Sequence, residues 1–369
     1  MRGDPVLRRA AISWARGGEL TPQRLWPVLR ERGGAEQLLA AGPGELVEWL
    51  GSESRAVAVR RSAEDVAAER WAADVERSGI RIVTAFDEEY PALLSEISDP
   101  PFVLYASGSL DRLKLPAVGI VGSRAATRYG RDVAARLARD LALAGVAIVS
   151  GFARGVDGAA HEAALGSAGG TIAVLGCGLD VEYPREHAAL KEAMRPRDLL
   201  LSEFPPGTEP KPGHFPVRNR IIAGLCAGIV VVEASRRSGS LITARLANEF
   251  GRDVFAVPGS VFSPTSIGTH ELLRDGAILC RSAEDVLAEL FPAIGPVAVV
   301  RAAPAAGDSL SAEARLVWDR LRKDEDSSAE DLAQATDLPA ATVLAALFEL
   351  EEAGLAVFAE GGRYGVRRN

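Results

Sequence analysis

Val118-Gly119-Ile120-Val121-Gly122-Ser123-Arg124 reads as a short apolar strand, a tight glycine turn and the opening of a helix. Downstream, Val133, Leu137 and Leu141 recur at i+4, charged residues fill the opposite face, and Gly145 supplies a stop, so the spacing predicts a helix between 121 and 147. The same alternation continues on either side. Apolar runs at 80–85, 102–105, 117–121, 147–149, 171–175, 199–203, 228–233 and 254–257 are separated by helical stretches. Continuous apolar strands alternating with helices indicate an α/β fold with a parallel sheet covered on both faces.

Three loops that follow these strands carry glycine and arginine together. They are Gly122-Ser123-Arg124, the run Ser150-Gly151-Phe152-Ala153-Arg154-Gly155-Val156-Asp157, and Phe215-Pro216-Val217-Arg218-Asn219-Arg220. Each stands at or near a helix start, where free N–H groups and a partial positive charge are presented. Glycine lets backbone approach a ligand, and arginine grips phosphate with a fork of donors. Several such places on one sheet edge point to a ligand with several phosphates. A ring beside two arginines, as at Phe215, suits an unpaired strand: stacking for bases, charge for backbone. Ser238-Gly239-Ser240-Leu241-Ile242-Thr243 starts a further helix that could hold an anion. Asp157 reads as a helix N-cap rather than a catalytic group. Arg154 has no acidic partner close in sequence, which suits a ligand contact. Glu233 is the best candidate for an enzymatic carboxylate, and its structural reading is to orient the neighbouring arginines.

Val121–Arg124 is a degenerate relative of the dinucleotide fingerprint and lacks its third glycine, so it is weak ground for a nicotinamide cofactor. No G-x-x-x-x-G-K-[ST] loop and no G-x-S-x-G elbow is present. The four histidines lack the spacing of a metal site. Cys177, Cys226 and Cys280 form no C-x-x-C pair. Neither cofactor nor metal is expected, and the cysteine usage fits a reducing cytoplasm. The N-terminus lacks the apolar run of a signal peptide, and the longest apolar stretch is far too short to cross a bilayer. A formal charge of −8 argues against a generally adhesive nucleic-acid binder, yet leaves room for a local basic groove. Lysine occurs only at Lys114, Lys191, Lys211 and Lys323, so arginine carries nearly all the positive charge.

Residues 1–77 read as a small helical module with helices at 10–15, 22–30, 35–39 and 45–50, broken by glycine pairs and by Gly42-Pro43-Gly44. Such a turn can grip a DNA backbone, but a module of this kind is more often a scaffold or protein-docking unit. Residues 78–290 hold the sheet, and 291–310 read as a linker. Residues 311–369 give helix, turn, helix and hairpin, the order of a winged helix. From 308 to 369 the chain has 13 acidic and 7 basic residues. That balance favours protein docking over duplex binding, with duplex contact near Arg363, Arg367 and Arg368 as the alternative.

In its ordered motifs the chain resembles the DprA/Smf family of DNA-processing proteins of bacterial natural transformation. The matching residues include Tyr90-Pro91-Ala92-Leu93-Leu94, Asp99-Pro100-Pro101, Val121 to Arg124, Ser150 to Asp157 with His161, and Tyr183-Pro184. They continue through Ser202-Glu203, Phe215 to Ile222, Glu233-Ala234, Ser238 to Thr243, Val257-Pro258-Gly259 and Gly268-Thr269. The resemblance implies an extended Rossmann-like core with a mostly parallel sheet. An N-terminal helical domain of sterile-alpha-motif or helix-hairpin-helix type and a C-terminal winged helix flank it. It implies a non-catalytic cytoplasmic homodimer that coats single-stranded DNA, shields it and helps load the RecA recombinase. Its DNA contacts would be Gly122, Ser123, Arg124, Gly151, Phe152, Arg154, Phe215, Arg218, Asn219, Arg220 and Ser240. Its dimer surface would be His270, Leu273 and Leu279, with His270 where asparagine is common. The rival from the residues alone is a nucleoside-monophosphate phosphoribohydrolase-like enzyme using Glu233 and the 238–243 loop.

Overall fold

A computed structural model describes residues 3–294, 310–321, 327–352, 355–359 and 363–366. The chain divides into two compact units, Met1–Pro296 and Val297–Asn369. In the first, the central sheet has nine strands: β1 (Arg81–Thr84), β2 (Val103–Gly108), β3 (Ala117–Val121), β4 (Ala147–Ser150), β5 (Thr171–Leu175), β6 (Leu199–Ser202), β7 (Gly228–Val231), β8 (Asp253–Ala256) and β9 (Ile278–Leu279). Their spatial order is β1-β2-β6-β5-β4-β3-β7-β8-β9. The six pairings from β6 to β9 are parallel, whereas β1 with β2 and β2 with β6 are antiparallel. The expectation of a mostly parallel α/β sheet holds, and its first two strands depart from it.

β3 is the centre. Val118 pairs with Ile148 on one side and Gly228 on the other. All five of its residues are buried. Ala117 and Val121 join the core formed with Ile221, Ile222, Ala244 and Ala247 from the helices His214–Leu225 and Gly239–Glu249. Val118 and Ile120, equally buried, alternate to the opposite face, as strand period two requires. The predicted helix spans Arg128–Leu143, capped by Thr127 Oγ1, which accepts from Gly130 N at 3.1 Å. Its buried stripe is Ala134, Leu137, Ala138 and Leu141, so Val133 sits at the margin of the face rather than its centre. Sheet order reverses at β3, with β4 to β6 on one flank and β7 to β9 on the other. Open α/β sheets bind ligands at such a switch, beyond the carboxyl ends of the strands.

The N-terminal residues form six helices, Pro5–Gly17, Pro22–Glu31, Ala35–Ala40, Pro43–Leu50, Glu53–Ser62 and Val66–Arg77, two more than the sequence reading found. They share one core with the sheet. Trp14 and Trp26 both pack on Phe102, with ring centroids 5.2 and 5.3 Å apart, and Trp71 meets Tyr105 edge-on at 5.9 Å. Trp26 Nε1 donates to Pro100 O at 2.6 Å.

The second unit has helices Ala312–Leu321, Ala329–Thr336 and Ala340–Glu352, and an antiparallel sheet with Arg363–Val366 between Ser327–Ser328 and Ala356–Ala359. Ser328 and Asp331 cap the middle helix reciprocally. This is the expected winged helix, with a third short strand added at 327–328. Residues 295–309 of the expected linker, Gly354, Gly361, Gly362, Arg367 and Arg368 lie outside the described residues.

Candidate nucleic-acid interface

Beyond the carboxyl ends of β3, β4 and β5 lies an open hollow of about 560 Å³, continuous with a small recess of about 40 Å³. β3 feeds it through Gly122 and Arg124, and β4 through Gly151 and Ala153. The helix His214–Leu225 contributes Phe215, Arg218 and Asn219 from its first two turns. The helix Gly239–Glu249 contributes Ser240 and Thr243. Two helix N-termini therefore face the same space, which favours an anion there. Gly176 and Cys177, after β5, line the recess.

At its mouth the Arg124 guanidinium lies over the Phe215 ring, 5.0 Å from the centroid. Tyr183 lies against the same ring, 5.6 Å away and tilted by 35°. Arg124 is exposed and Phe215 half-buried, so cation and aromatic surface both reach solvent. Asn219 Nδ2 lies 3.4 Å from Gly239 O and joins the two helix starts. Ser238 caps the second helix and shares a 2.7 Å hydrogen bond with Ser240 Oγ.

Arg218 forms the floor. It is only 3% exposed, and its Nη1 donates to Gly151 O at 2.6 Å and to Val174 O. Gly151 is required here, because a Cβ would stand 2.8 Å from both Arg218 Nη1 and Asp157 Oδ2. Asp157 is not the N-cap of its helix. It is the second residue of Val156–Ala164, and its Oδ2 accepts from Gly151 N and Ala153 N at 3.2 and 3.3 Å, pinning the loop after β4. Burial lowers the pKa of Arg218 to about 10; Asp157 pulls it back up, and the Arg124 charge adds to the fall. Burial likewise raises the Asp157 pKa, against Arg218 and the amide donors. Dehydration thus works against both charges, and Arg218 Nε has no hydrogen-bond partner among the described residues. The buried Arg218, set beside Asp157, forms the floor of the hollow, and the exposed Arg124 supplies the cation that an incoming anion can reach.

Several expected contacts are placed elsewhere. Arg220 points away from the hollow, 5% exposed, and is held by Glu203 Oε1 at 2.6 Å and Asp99 Oδ2 at 3.1 Å. Burial works against its charge, but the two carboxylates outweigh this and its pKa is raised. It is an internal ion-pair residue. Phe152 is 2% exposed with φ of 57°, packed against His161 and His187. It floors the recess and offers no face for stacking. Ser123 Oγ accepts from Ala125 N at 3.2 Å and closes its own turn, outside the lining of the hollow. Arg154 stands on the rim, exposed, with Glu186 3.6 Å away, a partner 32 positions distant that local sequence does not reveal.

Glu233 does not orient the arginines. It is 3% exposed, and its carboxylate accepts from Thr127 N at 2.9 Å, Thr127 Oγ1 at 2.6 Å and Thr265 Oγ1 at 3.2 Å. Gly130 leaves room for that carboxylate, since a Cβ there would meet Glu233 Oε2 at 2.4 Å. The Gly42-Pro43-Gly44 turn is also self-satisfied, because Glu45 Oε2 accepts from Gly42 N at 2.8 Å, where a phosphate would have to sit. His270, Leu273 and Leu279 lie apart from the hollow, on the helix Ile267–Arg274 and the edge strand β9. Sequence reasoning missed Lys211 and Tyr183 as lining residues. A lysine between Pro210 and Pro212, in a chain with four lysines, was the available signal.

The family profile described as DNA recombination-mediator protein A matches residues 81–291, and that described as DprA winged helix domain matches 301–362. DNA processing protein DprA of Streptococcus pneumoniae is 51% identical over 203 residues, which cover 55% of this chain and 72% of that protein. The crystal structure of DprA from Streptococcus pneumoniae matches with a TM-score of 0.66 at 39% identity, over 79% of this chain and 99% of the other. A structure of DNA processing protein A from Helicobacter pylori, solved for its single-stranded DNA binding mode, matches with a TM-score of 0.52 at 34% identity, over 57% and 94%. With the parallel sheet, the arginine-floored hollow at its switch point and the winged helix already in place, these matches show that the chain belongs to the DprA/Smf family of DNA-processing proteins.

Proposed function

We propose that the protein binds single-stranded DNA along the carboxyl edge of its sheet and acts without turnover as a mediator of recombination. The observation that carries this is the Arg124–Phe215 pair at the mouth of the hollow, backed by two helix N-termini and the buried Arg218. Rings stack on any unpaired base, and guanidinium groups neutralise the backbone. The Helicobacter pylori relative, described by its single-stranded DNA binding mode, supports the same ligand. The non-catalytic reading is favoured by Glu233, whose carboxylate oxygens are engaged by threonines away from the hollow.

In this reading two copies associate through the helix Ile267–Arg274 and β9. Leu279 is exposed on that open sheet edge, and pairing would lengthen a groove that on one subunit accommodates few nucleotides. The coated strand is shielded from nucleases and handed to RecA. Titration of labelled single strands and duplexes tests the core of the proposal. The full chain should prefer the single strand. Arg124→Ala with Arg154→Ala should weaken binding and lower the slope of log affinity against log salt by about 0.7 for each phosphate that is no longer neutralised. Unchanged affinity in the folded double variant would refute this placement. RecA nucleation on a coated strand, with and without the protein, tests the loading step.

A further inference from the structure

Helix Ala340–Glu352 is the second helix after the turn in the C-terminal unit, the position that reads the major groove in DNA-binding helix-turn-helix proteins. Its outward face does not suit that task. Ala341, Leu344, Ala345 and Phe348 fall at i, i+3, i+4 and i+7 and are all exposed, Leu344 by 50% and Phe348 by 63%. The inward face, Val343, Ala346, Leu347 and Leu350, is also apolar and fills the core of the unit. A helix apolar on both sides calls for a cover on each. Its charged residues are Glu349, Glu351 and Glu352, so it offers a phosphate no cation. Glu349 is tied to Ser311 N and Oγ, both at 2.7 Å. Glu351 Oε1 accepts from Phe358 N at 3.1 Å, which joins the wing strand to the end of the stripe. There Val357 and Phe358, 46% and 56% exposed, continue the apolar surface.

We infer that this stripe is a docking site for a basic amphipathic helix of a partner protein. Apolar residues at helical spacing present the ridge that an amphipathic helix packs against. Charge selects the kind of partner. Residues 308–369 carry 13 acidic against 7 basic residues, a net of −6. Duplex DNA would meet repulsion, and so would a second copy of the same unit. A helix with leucine on one face and lysine or arginine on the other satisfies both the stripe and its surroundings.

The test uses the full chain and a synthetic helical peptide with leucine at i, i+3, i+4 and i+7 and lysine elsewhere. A shuffled peptide of the same composition and a 20-base-pair duplex serve as comparison ligands. The ordered peptide should bind, more weakly as salt rises. Leu344→Asn with Phe348→Asn should reduce that binding by about tenfold or more, the scale of losing aromatic and aliphatic anchors. Both side chains are exposed, so the variant should keep its thermal melt and its affinity for single-stranded DNA. Equal binding of the shuffled peptide, or peptide affinity unaltered by the double substitution, overturns the inference. Duplex affinity that falls in the double variant, or self-association that disappears with it, overturns it in favour of DNA or of a second copy.

Discussion

Arg218 and Arg220 are two residues apart on one helix and face opposite environments: Arg218 floors the hollow through Gly151 O, and Arg220 closes an internal triad with Asp99 and Glu203. Side chains at i and i+2 do not share a helix face. The two arginines therefore answer different experiments. Arg220→Ala should leave two half-buried carboxylates without their cation and cost about 3–5 kcal/mol in chemical denaturation. Single-strand affinity of the fraction that stays folded should not change.

Phe215 should report stacking without charge. Phe215→Leu keeps apolar volume against Tyr183 and removes the ring under Arg124. Affinity for single strands should fall by about 1–3 kcal/mol for each base that stacks there. The salt dependence should stay as in the parent, which separates this variant from the arginine substitutions in a titration at several ionic strengths.

His161 gives a pH signature. The Thr171 hydroxyl donates to Ile148 O at 2.7 Å, so it accepts from His161 Nδ1 at 2.7 Å and leaves Nε2 unprotonated, with no partner among the described residues. Burial, aided by the charges of His187 and Arg218, lowers the imidazole pKa from 6.5 to about 3. The folded state stays neutral where the unfolded chain takes up a proton, so stability falls as pH drops below 6.5 toward 3. His161→Gln should remove a slope of about 1.4 kcal/mol per pH unit in that window. Parallel urea titrations of parent and variant at about pH 6.5, 5.5 and 4.5, within the range where the two states differ in bound protons, measure the difference.

Leu279 tests the proposed self-association. Leu279→Asp places a charge on the exposed β9 edge without disturbing the buried sheet. Sedimentation should show a monomer, and affinity for strands longer than one hollow should drop with it. A variant that still sediments as a dimer would remove this edge from the interface.

The strand–helix alternation was legible because buried parallel strands read as unbroken apolar runs. Direction was not, since β1 and β2 are also apolar and pair antiparallel. β9 has only two residues and no periodicity to find. In the site, Arg124, Gly151 and Phe215 could be read from local context, because a turn and a helix start suffice to place them. Arg220 and Glu233 could not. Arg220 is held by Asp99, 121 positions away, as well as by Glu203, and Glu233 by Thr127, 106 positions away, and only the assembled fold brings these groups together. Phe152, a DNA contact in the family resemblance, is buried in the core, where its backbone takes a positive φ that local sequence does not announce.

The aromatic cluster of Trp14, Trp26 and Phe102 has a bearing on how the molecule can be divided. Phe102 leads into the second strand and Tyr105 lies within it, but the indoles that shelter them come from the first 77 residues. Cutting the chain ahead of Arg81 would strip that flank of the sheet to water and release Pro100 O from its indole donor. The shortened protein should be prone to clump, and any fall in DNA affinity it displayed would speak of a breached interior rather than of a missing foothold for the strand.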